Sequence, residues 1–233
     1  MLTTLAQEGK KVGLQINAKK CICMTNSTAT PLILDGQPLG FASSFKYLGQ
    51  LVSFEKAMGK EIDRRRAASW GAYNKYRGYF GNQRISMVHK RKLYNSCVLP
   101  AMIYGAETWN CTRSQLHDLR TTQRRMERAM CGVNLRHRLP SATIRTRTGV
   151  MDVVSEAIKR KWNWGRRVAT MDGDRWPRVI SEWTPRQWSR SAGQPKRRWS
   201  DDFSEAFGPT WMRTARTAQN LFTRTGLQAA TSL

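Results

Sequence analysis

Apolar positions change their period near residue 55, and the change divides the chain. Before it, short apolar runs are punctuated by turn residues. Residues 14–16 and 21–25 read as short strands, and residues 45–52 supply a further one. Leu32-Ile33-Leu34-Asp35-Gly36-Gln37-Pro38-Leu39-Gly40 is a hairpin signal, because Asp-Gly tolerates the positive φ that a two-residue turn requires. Residues 1–12 read as the end of a helix, with Gly13 placed to close it in the left-handed conformation. This part is a small β-rich unit.

After Ser53 the period becomes helical. Ile62, Arg66, Ser69, Tyr73, Tyr76 and Phe80 recur on one helix face, and Gly81-Asn82 ends the run. Ser86 caps a second helix to about Val98, and Pro100 interrupts it. Ala101 to Trp109 form a short apolar segment. Thr112-x-x-Gln115 is a capping box opening a third helix. Its apolar stripe is Leu116, Leu119, Met126 and Met130, and Gly132 closes it. Pro140-Ser141 starts a shorter basic helix ending near Gly149. Asp152 caps another, Val153 to about Met171, with Val154, Ala157, Ile158, Gly165 and Val168 inward. Residues 172–200 differ: Trp176, Trp183, Trp188 and Trp199 stand among Pro177, Pro185, Pro195 and many arginines, and Gly193-Gln194-Pro195-Lys196 reads as loop. Ser200 caps a last helical region with Asp201 and Asp202 in its first turn, and residues 210–225 are helical again. The predicted class is α+β: a β-rich piece over 1–55, a helical domain over 56–171, and a Trp/Arg-rich region over 172–233.

Charge sharpens this picture. Forty Lys and Arg stand against 16 Asp and Glu, a net charge of +24 with a pI near 10.8. Such an excess repels itself unless a polyanion neutralises it, so nucleic acid is favoured over a merely solvated surface. No run approaches the ~18 apolar residues of a membrane span. No basic segment leads into an apolar signal-peptide core, so the expected setting is intracellular, nuclear or cytoplasmic. The five cysteines are odd in number and argue against a disulfide framework. Cys111, His117, Cys131 and His137 repeat a Cys-x5-His spacing. That is not the tight pair of a structural zinc site, so buried thiols and surface histidines are the favoured reading.

Candidate chemistry lies mainly in the arginines. Arg64, Arg65 and Arg66 on one helix, Arg120, Arg124, Arg125 and Arg128 on another, and Lys159 to Arg167 on a third read as basic faces for phosphate. Tyr73, Tyr76, Tyr79, Trp162 and Trp164 lie close by and could stack unpaired bases. Tyr76, Phe80 and Trp162 fall on apolar stripes and are assigned to the core. The one adjacent acidic pair, Asp201-Asp202, sits in Arg-Trp-Ser-Asp-Asp-Phe with no strand around it. A helix-start role, where acids meet the helix dipole, is favoured over a catalytic one. No Walker-type phosphate loop is present.

Five stretches together resemble the reverse transcriptases of non-LTR (LINE-type) retrotransposons. They are Gly13 to Lys20, Phe45-Lys46-Tyr47-Leu48-Gly49, Cys97 to Trp109 (with its Leu-Pro-x-x-x-Tyr-Gly-x-Glu-x-Trp core), Gln123 to Arg128, and Arg198-Trp199-Ser200-Asp201-Asp202. The resemblance implies that residues 13–25 are a late palm strand region and that Tyr47-Leu48-Gly49 lie in a hairpin at the primer end. It implies that the helices from residue 57 form the thumb. The expected partners are RNA and DNA as a template-primer duplex, and the missing N-terminal part of the polymerase. With the arginines above, Lys19, Lys20, Lys46, Tyr47, Leu48 and Gly49 are then the candidate nucleic-acid contacts. The family's catalytic aspartates would precede residue 1, which makes this chain a C-terminal fragment, a truncated element copy or a misdrawn gene. It would be inactive alone and bind no cofactor, Mg²⁺ being expected only for the full-length enzyme. The alternatives are a stand-alone basic nucleic-acid-binding protein and the product of a decayed element that does not fold stably.

Overall fold

The computed structural model describes residues 2–34, 36–54, 57–183 and 197–231. The chain is α+β, with short strands in an N-terminal unit, Met1–Glu61, and helices but no strands among the described residues of a second unit, Ile62–Leu233. The expected turn residue Asp35 and the loop 193–196 lie outside the described residues.

The first unit opens with α1, Leu2–Lys11. Gly13 closes it at φ +77, with Gly13 N–H donating to Lys10 C=O and Leu14 N–H to Gly9 C=O. That paired pattern satisfies the free carbonyls of the last turn. A 3₁₀ turn, Ala18–Lys20, leads into β1, Ile22–Cys23. Residues 14–16 form no strand, because these three residues only bridge the helix terminator and that turn. The hairpin of β2 (Ile33–Leu34) and β3 (Gln37–Pro38) is antiparallel, with Gly36 at φ +77. β4, Gly40–Phe41, runs parallel to β1. The stretch 45–52, expected to be one strand, is two: β5 (Ser44–Tyr47) and β6 (Gln50–Ser53) pair antiparallel with Tyr47 opposite Gln50. Leu48 (φ +46) and Gly49 (φ +79) make the turn between them. Positive φ at both central positions gives the strands their twist, but leucine hides the signal that asparagine would carry. Ala6, Leu34 and Leu39 form a small core, with Leu2, Ile16 and Ala18 packed against it.

Helix α2, Ala57–Lys75, crosses the boundary between the units. In the second unit it buries Ile62, Ser69 and Tyr73. The backbone breaks at Tyr76, and α3 (Arg77–Gly81) carries Phe80 back to stack on Tyr73, with centroids 4.6 Å apart. Ser86 precedes α4, Met87–Leu93, but its hydroxyl meets His89 Nδ1 at 2.7 Å instead of capping the backbone. Pro100 does not interrupt the next segment as expected. The helix passes through a π turn, Tyr94–Val98, into α5, Leu99–Met102. Leu99 N–H reaches back five residues to Tyr94 C=O, and this widening makes room for a ring that would otherwise strike the carbonyl of Ser96.

Helix α6, Arg113–Met130, begins in a full capping box: Gln115 N–H donates to Thr112 Oγ1 and Thr112 N–H to Gln115 Oε1. Gly132 ends it at φ +68 in the same paired pattern as Gly13. The Lys90 ammonium, buried, donates to Met130 C=O at 3.1 Å. Burial pushes its pKa down, and the negative end of the α6 dipole compensates it. Then follow α7 (Ser141–Thr148), closed by Gly149 at φ +58, and α8 (Val153–Thr170). α9 (Trp176–Glu182), α10 (Asp201–Phe207), α11 (Trp211–Thr217) and α12 (Gln219–Thr231) complete the unit.

The last three helices pack on α8 around Trp162, Phe203, Trp211 and Phe222. Trp162 meets Phe203 edge-on at 5.1 Å, which places it in the core as its stripe predicted. Gly165 admits the Phe203 ring and Gly226 admits the Trp162 ring; a Cβ at either would stand inside van der Waals distance. Ser200 is itself helical (φ −83, ψ −5) and its side chain caps nothing. The start of α10 is held instead by Asp201 Oδ2, which accepts from Arg198 N–H at 2.7 Å.

Candidate nucleic-acid interface

The arginines of α6 divide by direction. Arg120 and Arg124 turn toward α8 and meet Asp152, the N-cap of that helix. Asp152 Oδ1 accepts from Val154 N–H and Ser155 N–H at 3.1 and 3.0 Å, while Oδ2 takes Arg124 Nη2 at 3.2 Å and Arg145 Nη1. Burial alone would raise this carboxyl. The Ser155 amide and the Arg145 and Arg120 guanidiniums outweigh it and hold the pKa at about 2. Glu127, fully buried, takes Arg124 on one oxygen and Thr148 on the other at 3.2 Å, and burial pushes its carboxyl up despite those partners. Gln123 completes the junction, donating to Met151 C=O and accepting from Val153 N–H. Arg120, Arg124 and Arg145 therefore neutralise carboxylates inside the protein.

Arg125 points the other way and is exposed, and Arg128 beside it is half-buried, within 3.5 Å of Ser141 Oγ. The signal not drawn from the sequence is a run without acids. From Arg128 through Met151 there is no Asp or Glu, and the run holds Arg128, Arg136, Arg138, Arg145 and Arg147. Arg136 and Arg138 lie on and just after the 3₁₀ turn Leu135–His137, and Arg147 lies in the last turn of α7. All three are exposed. Together with Arg125 and Arg128 they are the cations of this region best placed to meet an outside anion.

The triplet Arg64-Arg65-Arg66 is not one face. Successive helical residues point about 100° apart, so three in a row cannot all reach one ligand. Arg65 is buried with its guanidinium 4.6 Å over the Tyr104 ring. Arg66 joins α2 to α6, donating to Thr122 Oγ1 at 2.9 Å and pairing with Asp63 at 2.8 Å. Arg64 is half-buried. On α8, Lys161 is buried and pairs with Asp202 at 2.5 Å, and Lys159 lies 3.8 Å from Glu156. Asp202 also takes Arg197. Lys161, Arg197 and the Arg198 amide are thus among the partners that engage the acidic pair 201–202. Among the described residues no group of three or more His, Cys, Asp or Glu stands ready for a metal ion. Cys111 is half-buried, and desolvation pushes its thiol up to about 12.

In the first unit, Lys19, Lys20, Lys46, Tyr47 and Leu48 are exposed, and Gly49 is half-buried. Lys46 and Tyr47 are neighbours on β5 and project to opposite faces, with Leu48 at the turn between them and β6. Leu48 is 76% exposed.

The chain is 32% identical over 214 residues to an uncharacterized transposon-derived protein of Caenorhabditis elegans, covering 86% of this chain and 75% of that protein. It belongs to that family of transposon-derived proteins. It is also 29% identical over 138 residues to a protein named as the probable RNA-directed DNA polymerase from transposon BS of Drosophila melanogaster. That match covers 55% of this chain and 15% of the fly protein. No protein-family profile matches the chain. No solved structure matches it either. Among the described residues, no helix is long and apolar enough to cross a membrane.

Proposed function

We propose that this transposon-derived chain is the duplex-holding part of an RNA-directed DNA polymerase, gripping a template-primer hybrid without carrying the catalytic carboxylates. The observation that carries the reading is the acid-free run that begins in the last turn of α6: Arg136, Arg138 and Arg147 are exposed, as is Arg125 just before the run, and residues 128–151 contain no carboxylate. Guanidinium forks suit phosphate oxygens, and each phosphate neutralised releases counterions. The hairpin Ser44–Ser53, with an exposed leucine in a left-handed turn, fits a tip that touches the end of a strand. The fly relative's name supports the polymerase context, over the part of the chain it matches. The chain would not extend a primer, because Asp201 and Asp202 are engaged in salt bridges and helix-start bonds.

The test is anisotropy with a labelled RNA–DNA hybrid at several salt concentrations. Five arginine–phosphate contacts correspond to a slope of about −4 to −5 in log K against log salt. Arg125→Ala, Arg136→Ala, Arg138→Ala and Arg147→Ala should each lower that slope by about 1. A flat salt dependence would refute the reading.

The worm relative, matched over three quarters of its length, favours a second reading: a stand-alone basic nucleic-acid-binding protein. The two part at the strand end. A duplex-holding polymerase part prefers a hybrid with a recessed 3′ end over a blunt duplex, and a general binder treats them alike.

A further inference from the structure

The C-terminal half carries an aromatic groove that the duplex-holding role does not use. It has a volume of about 690 Å³ and lies between α8, α9 and the segment entering α10. Three indoles line it, Trp164, Trp183 and Trp199, together with Ile180 and Arg198. Two of the indoles are fixed. Trp199 donates its Nε1–H to Glu107 C=O at 2.7 Å and meets Phe203 edge-on at 5.1 Å, and Trp164 packs against the core around Trp162. Trp183, at the end of α9, is 68% exposed. Trp176, Ile180 and Trp183 fall at i, i+4 and i+7, so the groove wall continues as an apolar stripe along α9 that stays open to water. Arg198 is the ionisable residue among those described as lining the groove, and no carboxylate is among them. Its backbone is held in place by Asp201.

We infer that this groove binds unpaired nucleotides of a single strand, stacking bases on Trp183 and Trp199 while Arg198 meets the backbone phosphate. Flat indole faces accept any base, and Arg198 gives the groove a cation, although the same residue also borders the adjoining recess that holds Glu182, Asp201 and Glu205. A protein partner would meet the same apolar wall, but nothing acidic is needed for it, and the surplus of positive charge over the whole chain favours a polyanion. The inference rests on the nucleic-acid reading above and adds a second ligand form: the duplex lies along the arginines after α6, and the strand leaving it lies here.

The experiment uses the full chain, a labelled twelve-nucleotide oligo(dT), and a labelled twelve-base-pair RNA–DNA hybrid, both at fixed salt. Trp183→Ala, at an exposed position, should weaken single-strand binding about 5- to 100-fold and leave hybrid binding within about twofold. Trp183→Phe should keep most of the single-strand affinity, because a ring remains. Oxidation of Trp183 in the free chain should be fast, and slowed by the oligonucleotide. Hybrid binding with no single-strand binding, or single-strand binding unchanged in Trp183→Ala, overturns the groove assignment and leaves the duplex reading intact. Binding of neither nucleic acid overturns the duplex reading itself. Trp183 already protected from oxidation in the free chain overturns the assignment too.

Discussion

Replacing Gly226 with alanine opposes two effects of known sign. In a helix interior the change normally stabilises by up to about 1 kcal/mol, because glycine loses more backbone freedom on folding. At Gly226 the new methyl would stand 2.9 Å from Trp162 Cε3 and closer still to Cγ and Cδ2. Those are atoms near the root of the side chain, so a rotamer adjustment does not clear them. The ring is 2% exposed and hemmed by Phe222 at 4.7 Å and Phe203 at 5.1 Å. Overpacking of this kind costs about 1–3 kcal/mol, and the rigidity here puts it at the upper end. The net expectation is a loss of about 1–2 kcal/mol, or a Tm lower by about 2–8 °C for a unit of this size. Gly71 supplies the control. It lies exposed on α2, where an added methyl would find no atom within 4 Å, so Gly71→Ala should gain up to about 1 kcal/mol. Urea and thermal unfolding followed by circular dichroism measure both. If G226A matched the wild type in stability while G71A showed its gain, the packing of α12 on α8 would be refuted.

Other perturbations address the ion-pair junction and the hairpin. Asp152 titrates at about 2, below its ordinary value of 3.8, so its contribution is present above pH ~4 and lost as pH falls toward 2. That shift corresponds to about 2 kcal/mol, and Asp152→Asn should remove most of the acid slope in that window. Glu127 works in the opposite sense, since its raised pKa makes its contribution fall as pH rises; a slope that survives in D152N would move the assignment away from Asp152. Arg124→Ala, which leaves buried Glu127 short of a partner, should cost about 3–5 kcal/mol. Arg125→Ala, at an exposed position, should cost under about 0.5 kcal/mol while weakening hybrid binding; equal stability losses in the two variants would contradict the division of the α6 faces. Leu48→Gly should stabilise the hairpin by about 1 kcal/mol by relieving the left-handed conformation, read as slower amide exchange over residues 44–53.

Some helix ends were legible because their determinants are local, whereas the caps expected at Ser86 and Ser200 do not form. Thr112 and Gln115 form the box their spacing announces, and Gly13, Gly132 and Gly149 all take positive φ. The aromatic core was partly legible: Trp162 and Phe80 sit inward as their stripes require. The hairpin at Leu48-Gly49 was hidden because leucine seldom adopts φ > 0, so the strand pattern reads straight through the turn. The arginine faces were the hardest to read. Arg124 and Arg125 are neighbours in sequence, yet one is 12% exposed between two carboxylates and the other faces water. Which side of a helix meets Asp152 depends on a residue 28 positions away, and no local rule carries that. The absence of acids from 128 to 151 was readable, and it is the signal that marks Arg136, Arg138 and Arg147.

The π turn sets the register of everything after it. Lys90, Tyr94, Val98 and Met102 are all buried at intervals of four. In a regular helix that interval drifts by about 120° over the three steps, and one extra residue in the widened turn takes back about 100° of it. The turn behaves as a one-residue insertion that the helix absorbed without breaking. Excising a single residue between Tyr94 and Val98 would restore ordinary geometry there and keep Leu99 and Met102 on the buried side, whereas regularising the turn with every residue kept would swing them about 100° away. The irregular turn is thus what lets both halves of this helix share one buried side.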